Sequence, residues 1–158
     1  MNRLGIGPRL APLSISYFMA TVVLSVYWKP LFNLIDIPDA LRLGIGIAFI
    51  TVGIVLYAAA LRAMLKAYKA EKLCTTGAFG ICRHPIYSAW ICFLVPGMAF
   101  LVNSLLSFTT PLVMYGLFKV LIPKEDQHLQ KRFGAEYLRY RKITPELFPF
   151  GWLKRVKT

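Results

Sequence analysis

The sequence predicts an all-α integral membrane protein: about four transmembrane helices, two of them in a tight helical hairpin, and a C-terminal amphipathic helix on the cytosolic side. Three observations carry this. Of 158 residues, 57% are hydrophobic and 16% charged, whereas a soluble domain has about 25% charged residues. The apolar excess is gathered into runs long enough to cross ~30 Å of hydrocarbon. The cations cluster at the ends of those runs. The length suits one domain, residues 1–158.

The net charge of +12 invites a nucleic-acid partner, but placement of the cations at span ends is the positive-inside pattern of a membrane protein. No nucleic acid is expected. Cys74, Cys82 and Cys92 are odd in number and lack metal-ligand spacing, so free thiols are expected, with neither disulfide nor metal. Arg3 and Arg9 before an apolar run resemble a signal peptide, but the run is long, has no small-x-small cleavage site and continues into Lys29-Pro30. A retained first span is expected.

Taken in order, residues 10–28 form span one, with Tyr27 and Trp28 suited to an aromatic belt. Asp36-Ile37-Pro38-Asp39 reads as a turn, with Asp39 an N-cap. Residues 40–64 form span two. Its Gly44, Gly46 and Gly53 allow close helix packing or room for a bound group. A basic connector follows from Arg62 to Arg83, helical at first and broken at Thr75-Thr76-Gly77. Pro85 suits a helix start and opens span three, residues 86–102, with Pro96-Gly97 as a kink. After the short break at Asn103-Ser104, residues 105–122 form span four, which Pro111 could bend. Beyond Ile122-Pro123 the chain turns polar. Leu129, Phe133, Tyr137 and Tyr140 then recur at helical spacing, weakened by Gly134. Thr144-Pro145-Glu146-Leu147-Phe148-Pro149 is an extended exit before a basic tail with Lys154, Arg155 and Lys157.

Of the 19 Lys and Arg, only Lys29 and Arg42 fall near the junction of spans one and two, where Asp36 and Asp39 cancel them, and the hairpin loop has none. Both termini are therefore expected in the cytoplasm, and the membrane itself is expected to be the cytoplasmic membrane of a prokaryote. It follows that the segments 72–87 and 123–149 emerge on one face and can meet.

Those two segments hold the chemistry. Arg83 can bind a carboxylate or phosphate in bidentate fashion. His84 can donate or accept near neutral pH. Tyr87 offers a ring and a hydroxyl, Glu125 and Asp126 are acids at the membrane edge, and Tyr137 and Tyr140 are aromatic. Together they could bind a zwitterion carrying a flat ring and hydroxyls. The same residues could instead be a positive-inside anchor, a helix start, an interface aromatic and an acidic cluster favoured by a helix dipole.

Gly77-x-Phe79-x-x-x-Arg83-His84-Pro85-x-Tyr87, followed by Glu125-Asp126-x-x-Leu129-x-x-x-Phe133-Gly134-x-Glu136-Tyr137-x-x-Tyr140 and then Thr144-Pro145 and Phe148-Pro149, closely resembles the isoprenylcysteine carboxyl methyltransferase family. Phospholipid methyltransferases are its relatives. The likeness runs over roughly residues 41–149, and both blocks occur in order around a helical hairpin. It implies S-adenosylmethionine held at the cytosolic side, with Gly77, Phe79, Arg83, His84, Tyr87, Glu125, Tyr137 and Tyr140 as cofactor-site residues, and Glu125 and His84 as the candidates for catalysis. Asp126 matches the second acid of the family's pair. One departure stands out: Leu121 lies where the carboxyl methyltransferases usually carry an arginine that orients the substrate carboxylate, and Lys119 and Lys124 are expected to face elsewhere. An amine, thiol or lipid headgroup then becomes a more plausible acceptor.

The expected function is S-adenosylmethionine-dependent methyl transfer to a lipophilic or small acceptor. The alternatives are a phospholipid-type N-methyltransferase or S-methyltransferase, a nicotinamide-using relative, and a non-catalytic membrane binding or assembly module. The oligomeric state is not legible in the sequence.

Overall fold

The computed structural model describes residues 5–34 and 37–147. The expectations for Arg3, Asp36, Phe148-Pro149 and the basic tail lie outside those residues. Among the described residues all regular structure is helical: α1 (Gly7–Tyr27), α2 (Lys29–Phe32), α3 (Asp39–Lys69), α4 (Ala78–Ile81), α5 (Pro85–Leu101) and α6 (Thr109–Ile143). Three helical stretches are long and apolar enough to cross a membrane, namely α1, α3 and the run Leu106–Ile143. The expected third span, α5, is apolar but has 17 residues, about 25 Å at 1.5 Å per residue.

Hydroxyl side chains fasten α1 to the turn ahead of α6. The Tyr17 hydroxyl lies 3.0 Å from Thr109 Oγ1, Thr21 Oγ1 lies 3.1 Å from Ser107 Oγ, and Ser25 Oγ lies 2.6 Å from Ser104 Oγ. These three rungs repeat every four residues along one stripe of α1. Such contacts help to hold helices together where lipid supplies no hydrophobic drive between them.

On the other side, α3 packs on α5 through glycine. A Cβ on Gly97 would lie 3.0 Å from the Gly46 carbonyl oxygen and 2.8 Å from Ile50 Cγ1, and one on Gly53 would lie 2.7 Å from Leu94 Cδ2. Gly46 and Gly53 are therefore packing residues, whereas nothing approaches Gly44 within 4 Å. Midway along α5 the backbone widens into a π-helical stretch, Trp90–Leu94. It ends just before Pro96, whose ring would clash with the carbonyl four residues back in a regular helix.

The termini of α3 differ from expectation. Pro38 is the N-cap residue and Asp39 opens the helix, with no side-chain cap. Asp39 instead pairs with Arg42 at 2.9 Å. The buried Arg42 side chain also reaches the last carbonyls of α5, those of Phe100 and Leu101, at 2.6 and 3.0 Å. At the other end the helix stops at Lys69, ahead of the expected break at Thr75-Thr76-Gly77. Glu71 takes φ 53°, the Glu71 amide bonds the Tyr68 carbonyl, and the Lys72 amide bonds the Ala67 carbonyl. That is a Schellman closure with glutamate in the place glycine usually holds.

The largest departure is α6. The expected fourth span runs on without a break into the first half of the expected amphipathic helix, with Pro123 inside it. Pro111 falls in the first turn, where no donor is needed, and so does not bend the helix. The break comes at Gly134, with φ 55° and ψ −126°, a conformation that glycine alone adopts cheaply. Eleven residues of straight helix would separate residues 126 and 137 by about 16 Å. The turn at Gly134 instead brings the Tyr137 hydroxyl back onto the Asp126 carboxylate.

A buried core of Ile6, Leu10, Tyr87, Ile91, Val95, Met114, Phe118, Ile122 and Leu147 joins α1, α5 and α6. The polar residues gathered at one end of this core form the candidate site.

Candidate functional site

The site starts with a proline. Pro85 disfavours helical geometry at the preceding residue, and His84 takes φ −128° and ψ 60°. Arg83 and His84 thereby lie between α4 and α5, with amides that no helix satisfies. The Arg83 amide donates to the Pro145 carbonyl at 2.8 Å, and the His84 amide to the Glu146 carbonyl at 3.1 Å. The exit segment after α6 is thus stitched to the start of α5. The His84 carbonyl in turn accepts from the Ser88 amide at 3.0 Å and the Ser88 hydroxyl at 3.2 Å, which secures the first turn of α5.

The side chains then converge on Asp126. Arg83 Nη1 donates to both of its carboxylate oxygens, at 3.1 and 3.3 Å, and also lies 3.2 Å from the Tyr137 hydroxyl. Tyr137 donates to the same carboxylate. His84 Nε2 lies 3.5 Å from it, and Arg141 Nε 3.8 Å. Burial opposes the charge on Arg83, but the adjacent Asp126 carboxylate and the Tyr137 hydroxyl together offset this and hold the guanidinium pKa above its usual value. Asp126 and Arg83 are 8% and 9% exposed at their side chains, so each compensates the other's buried charge.

Glu125, one residue earlier, faces a different group. Its Oε2 accepts from the Tyr87 hydroxyl at 3.0 Å and from the Ile6 amide at 3.0 Å, and its Oε1 lies 3.9 Å from His84 Nδ1. His84 therefore sits between the two acids. The His84, Tyr87 and Phe118 rings pack on one another, with centroids 5.5 to 5.9 Å apart. Tyr140 donates to the Phe79 carbonyl at 2.6 Å, fixing the arm beyond Gly134 to α4.

Of the residues singled out from sequence, Arg83, His84, Tyr87, Glu125 and Tyr137 form one connected cluster. Phe79 and Tyr140 join it at the edge, Phe79 through its backbone. Gly77 does not: it is exposed, with φ 63°, and nothing lies where its Cβ would be. Asp126, expected only as the second acid of a pair, is the hub.

A cleft of about 340 Å³ opens beside Asp126, lined by Lys119, Gln127, Gln130, Arg141 and Glu146, with Ile122 and Pro123 as its apolar wall. The expectation that Lys119 faces elsewhere is therefore corrected: it lines the cleft and bonds Glu146. The chain path explains this, because the exit segment turns back over the Lys119 side of α6. Leu121 is partly buried and packs against the core. Glu146, Lys119 and Arg141 escaped the sequence reading because their partners lie across a fold-back. The Thr-Pro-Glu exit beside a charged helix was the available signal. Burial raises the pKa of the Cys74 thiol, so it is no ready nucleophile. Among the described residues, no group of acids, histidines and cysteines could hold a metal ion.

The model of the isoprenylcysteine carboxyl methyltransferase family matches residues 42–131. Similar proteins include protein-S-isoprenylcysteine O-methyltransferase B of Arabidopsis thaliana, 32% identical over 80 residues, which are 51% of this chain and 41% of that protein. Protein-S-isoprenylcysteine O-methyltransferases of Mus musculus and Homo sapiens are 33% and 32% identical over 85 residues, 54% of this chain and 29% of theirs. The matched stretch thus spans less than half the length of these relatives. No solved structure matches. Since the family match takes in more than half of the chain, from the start of α3 through the hairpin to Asp126 and beyond, the protein belongs to the isoprenylcysteine carboxyl methyltransferase family.

Proposed function

We propose that this protein transfers a methyl group from S-adenosylmethionine to a lipophilic or small acceptor at the cytosolic face of the membrane. The observation that carries the reading is the convergence of Arg83, His84, Glu125, Asp126 and Tyr137 beside a polar cleft at the mouth of an apolar bundle. The similar proteins of Arabidopsis thaliana and Mus musculus are named protein-S-isoprenylcysteine O-methyltransferases, which supports the reaction class.

The donor set suits S-adenosylmethionine. Lys119 and Arg141 can meet a carboxylate, Asp126 and Glu146 an ammonium group, and Gln127 and Gln130 hydroxyls or ring nitrogens. Among the described residues Arg83 Nε is buried without a hydrogen-bond partner, an arrangement that a bound polar group would relieve. When bound, S-adenosylmethionine supplies a methyl group already activated by its sulfonium.

The protein's task is then alignment and exclusion of water. Arg83 holds Asp126, and with it the wall of the cleft. Tyr137 and Tyr140 close the arm beyond Gly134 over the same end. A carboxylate or thiolate acceptor needs no base, whereas a protonated amine does, and Glu125 Oε1 or His84 would take that proton. An apolar acceptor would reach the site laterally between helices.

Leu121, turned toward the core, supports an acceptor other than the carboxylate of a prenylcysteine. A transfer assay with labelled S-adenosylmethionine over lipid extracts, small amines and thiols, and a farnesylated cysteine analogue tests both points. The expected result is methyl transfer with the farnesylated analogue a poor acceptor. Efficient methylation of that analogue would overturn the acceptor assignment and point to Lys119 as the substitute cation. No saturable binding of S-adenosylmethionine or S-adenosylhomocysteine would sink the methyltransferase reading and leave a binding or assembly module.

A further inference from the structure

Glu125 is tied to the other end of the sequence. Its Oε2 accepts from the Ile6 amide and the Tyr87 hydroxyl, both at 3.0 Å, and the Ile6 amide also lies 3.2 Å from the Tyr87 oxygen. These three groups form a closed triangle. It occupies one carboxylate oxygen and leaves Oε1 turned toward His84 Nδ1 at 3.9 Å.

Two features pin the N-terminal corner of that triangle. Ile6 and Leu10 are 5% and 3% exposed and pack in the core with Tyr87, Phe118, Ile122 and Leu147, so the segment ahead of α1 is held by burial as well as by polar contact. Gly5 has φ +58°, and a Cβ there would lie 2.4 Å from Glu125 Oε2, 2.8 Å from its Cδ and 3.0 Å from the Tyr87 oxygen. Both the backbone angle and the approach call for glycine. Gly5 and Ile6 lie outside residues 42–131, the part of the chain the family match covers.

We propose that Gly5 and Ile6 are positioning residues of the methyl-transfer site. Their backbone locks the Glu125 carboxylate with Oε2 tethered and Oε1 presented to His84 and the acceptor side. The segment ahead of α1 thus completes a site whose chemistry is carried by α5 and α6. The inference rests on the methyltransferase reading for its catalytic part, while the contact itself can be tested independently of that reading.

The test uses the full chain and the labelled S-adenosylmethionine assay over lipid extract. In the wild-type background, Gly5→Ala pushes the carboxylate aside and slows transfer roughly ten- to a hundredfold, the scale of loss that a shift of about 1 Å can produce. The KM for the donor is expected to change little, while the thermal unfolding midpoint falls in either background because φ +58° strains any residue with a Cβ. Glu125→Asp withdraws the carboxylate from Gly5 by one methylene, so in that background Gly5→Ala is expected to have little further effect. Equal slowing in both backgrounds, or slowing in neither, would overturn the positioning role.

Hydrogen exchange at the Ile6 amide gives a second readout that needs no activity. Exchange should quicken in Glu125→Ala and be largely restored in Glu125→Gln, whose carbonyl oxygen still accepts a hydrogen bond. Unchanged exchange in Glu125→Ala would overturn the contact. A wild-type chain that binds no donor would remove the catalytic part alone, and exchange at Ile6 would then decide the contact by itself.

Discussion

Asp126 has more partners than any other group in the site, and its weight lies in charge compensation. A buried ion pair adds little net stability over an apolar pair, but removing one member leaves an uncompensated charge. Arg83→Ala should therefore destabilise the protein by about 3–5 kcal/mol as well as weaken donor binding. Replacing both members with apolar residues, Arg83→Met with Asp126→Leu, should cost less than either single change. A double-mutant cycle on chemical unfolding in detergent measures this, and additive losses would show that the contact is not a coupled pair. Arg83 and His84 were singled out because the Arg-His-Pro run and the Glu125–Tyr140 block occur together in the family's order, whereas the residues by themselves also fitted a membrane anchor. The tether from Glu125 to Ile6 was not legible, because one of its partners is a backbone amide, and every residue type but proline carries one.

At the level of helices, α6 carries the site by being broken at one point. Residues 124–142 read as an amphipathic helix because Leu129, Phe133, Tyr137 and Tyr140 recur at helical spacing. Periodicity of this kind is the same on both sides of a glycine turn and so hides the fold-back. The backbone conformation at Gly134, φ 55° and ψ −126°, would cost a Cβ-bearing residue about 1–3 kcal/mol. Gly134→Ala should therefore loosen the arm that carries Tyr137, Tyr140 and Glu146 while leaving residues 109–130 helical. Hydrogen exchange resolved along the chain would show faster exchange confined to residues 135–147. Unaltered protection there would mean that the arm is held without the turn. No Cβ clash with the described residues is expected, since none of them lies within 4 Å of that position, so the loss reports backbone conformation.

Across the whole molecule, the helices run between two polar ends. One end gathers Ile6, Arg83, Glu125, Asp126 and Glu146, and the other gathers Asp39, Arg42, Asn103 and Ser104. The charge pattern predicts that the first end faces the cytoplasm. In a background with Cys74, Cys82 and Cys92 replaced by alanine, Lys29→Cys should react with an impermeant thiol reagent in intact cells. Lys72→Cys should react only after permeabilisation, and the reverse pattern would invert the topology.

Some of this follows from the chain read alone. Apolar runs must leave water, cations collect at their ends, and Pro85 opens a helix. The segments around Arg83 and Glu125 are therefore expected at one membrane face, where they can meet. Tertiary structure decided what they meet. It turned α6 back at Gly134, brought Lys119 into the cleft, left Gly77 outside, and set the backbone of Ile6 against Glu125. Each of these depends on carbonyls, amides and chain direction shared between segments far apart in sequence. Residue type and local period record hydrophobicity and backbone preference, but they do not record which distant backbone group will lie within 3 Å of a given side chain.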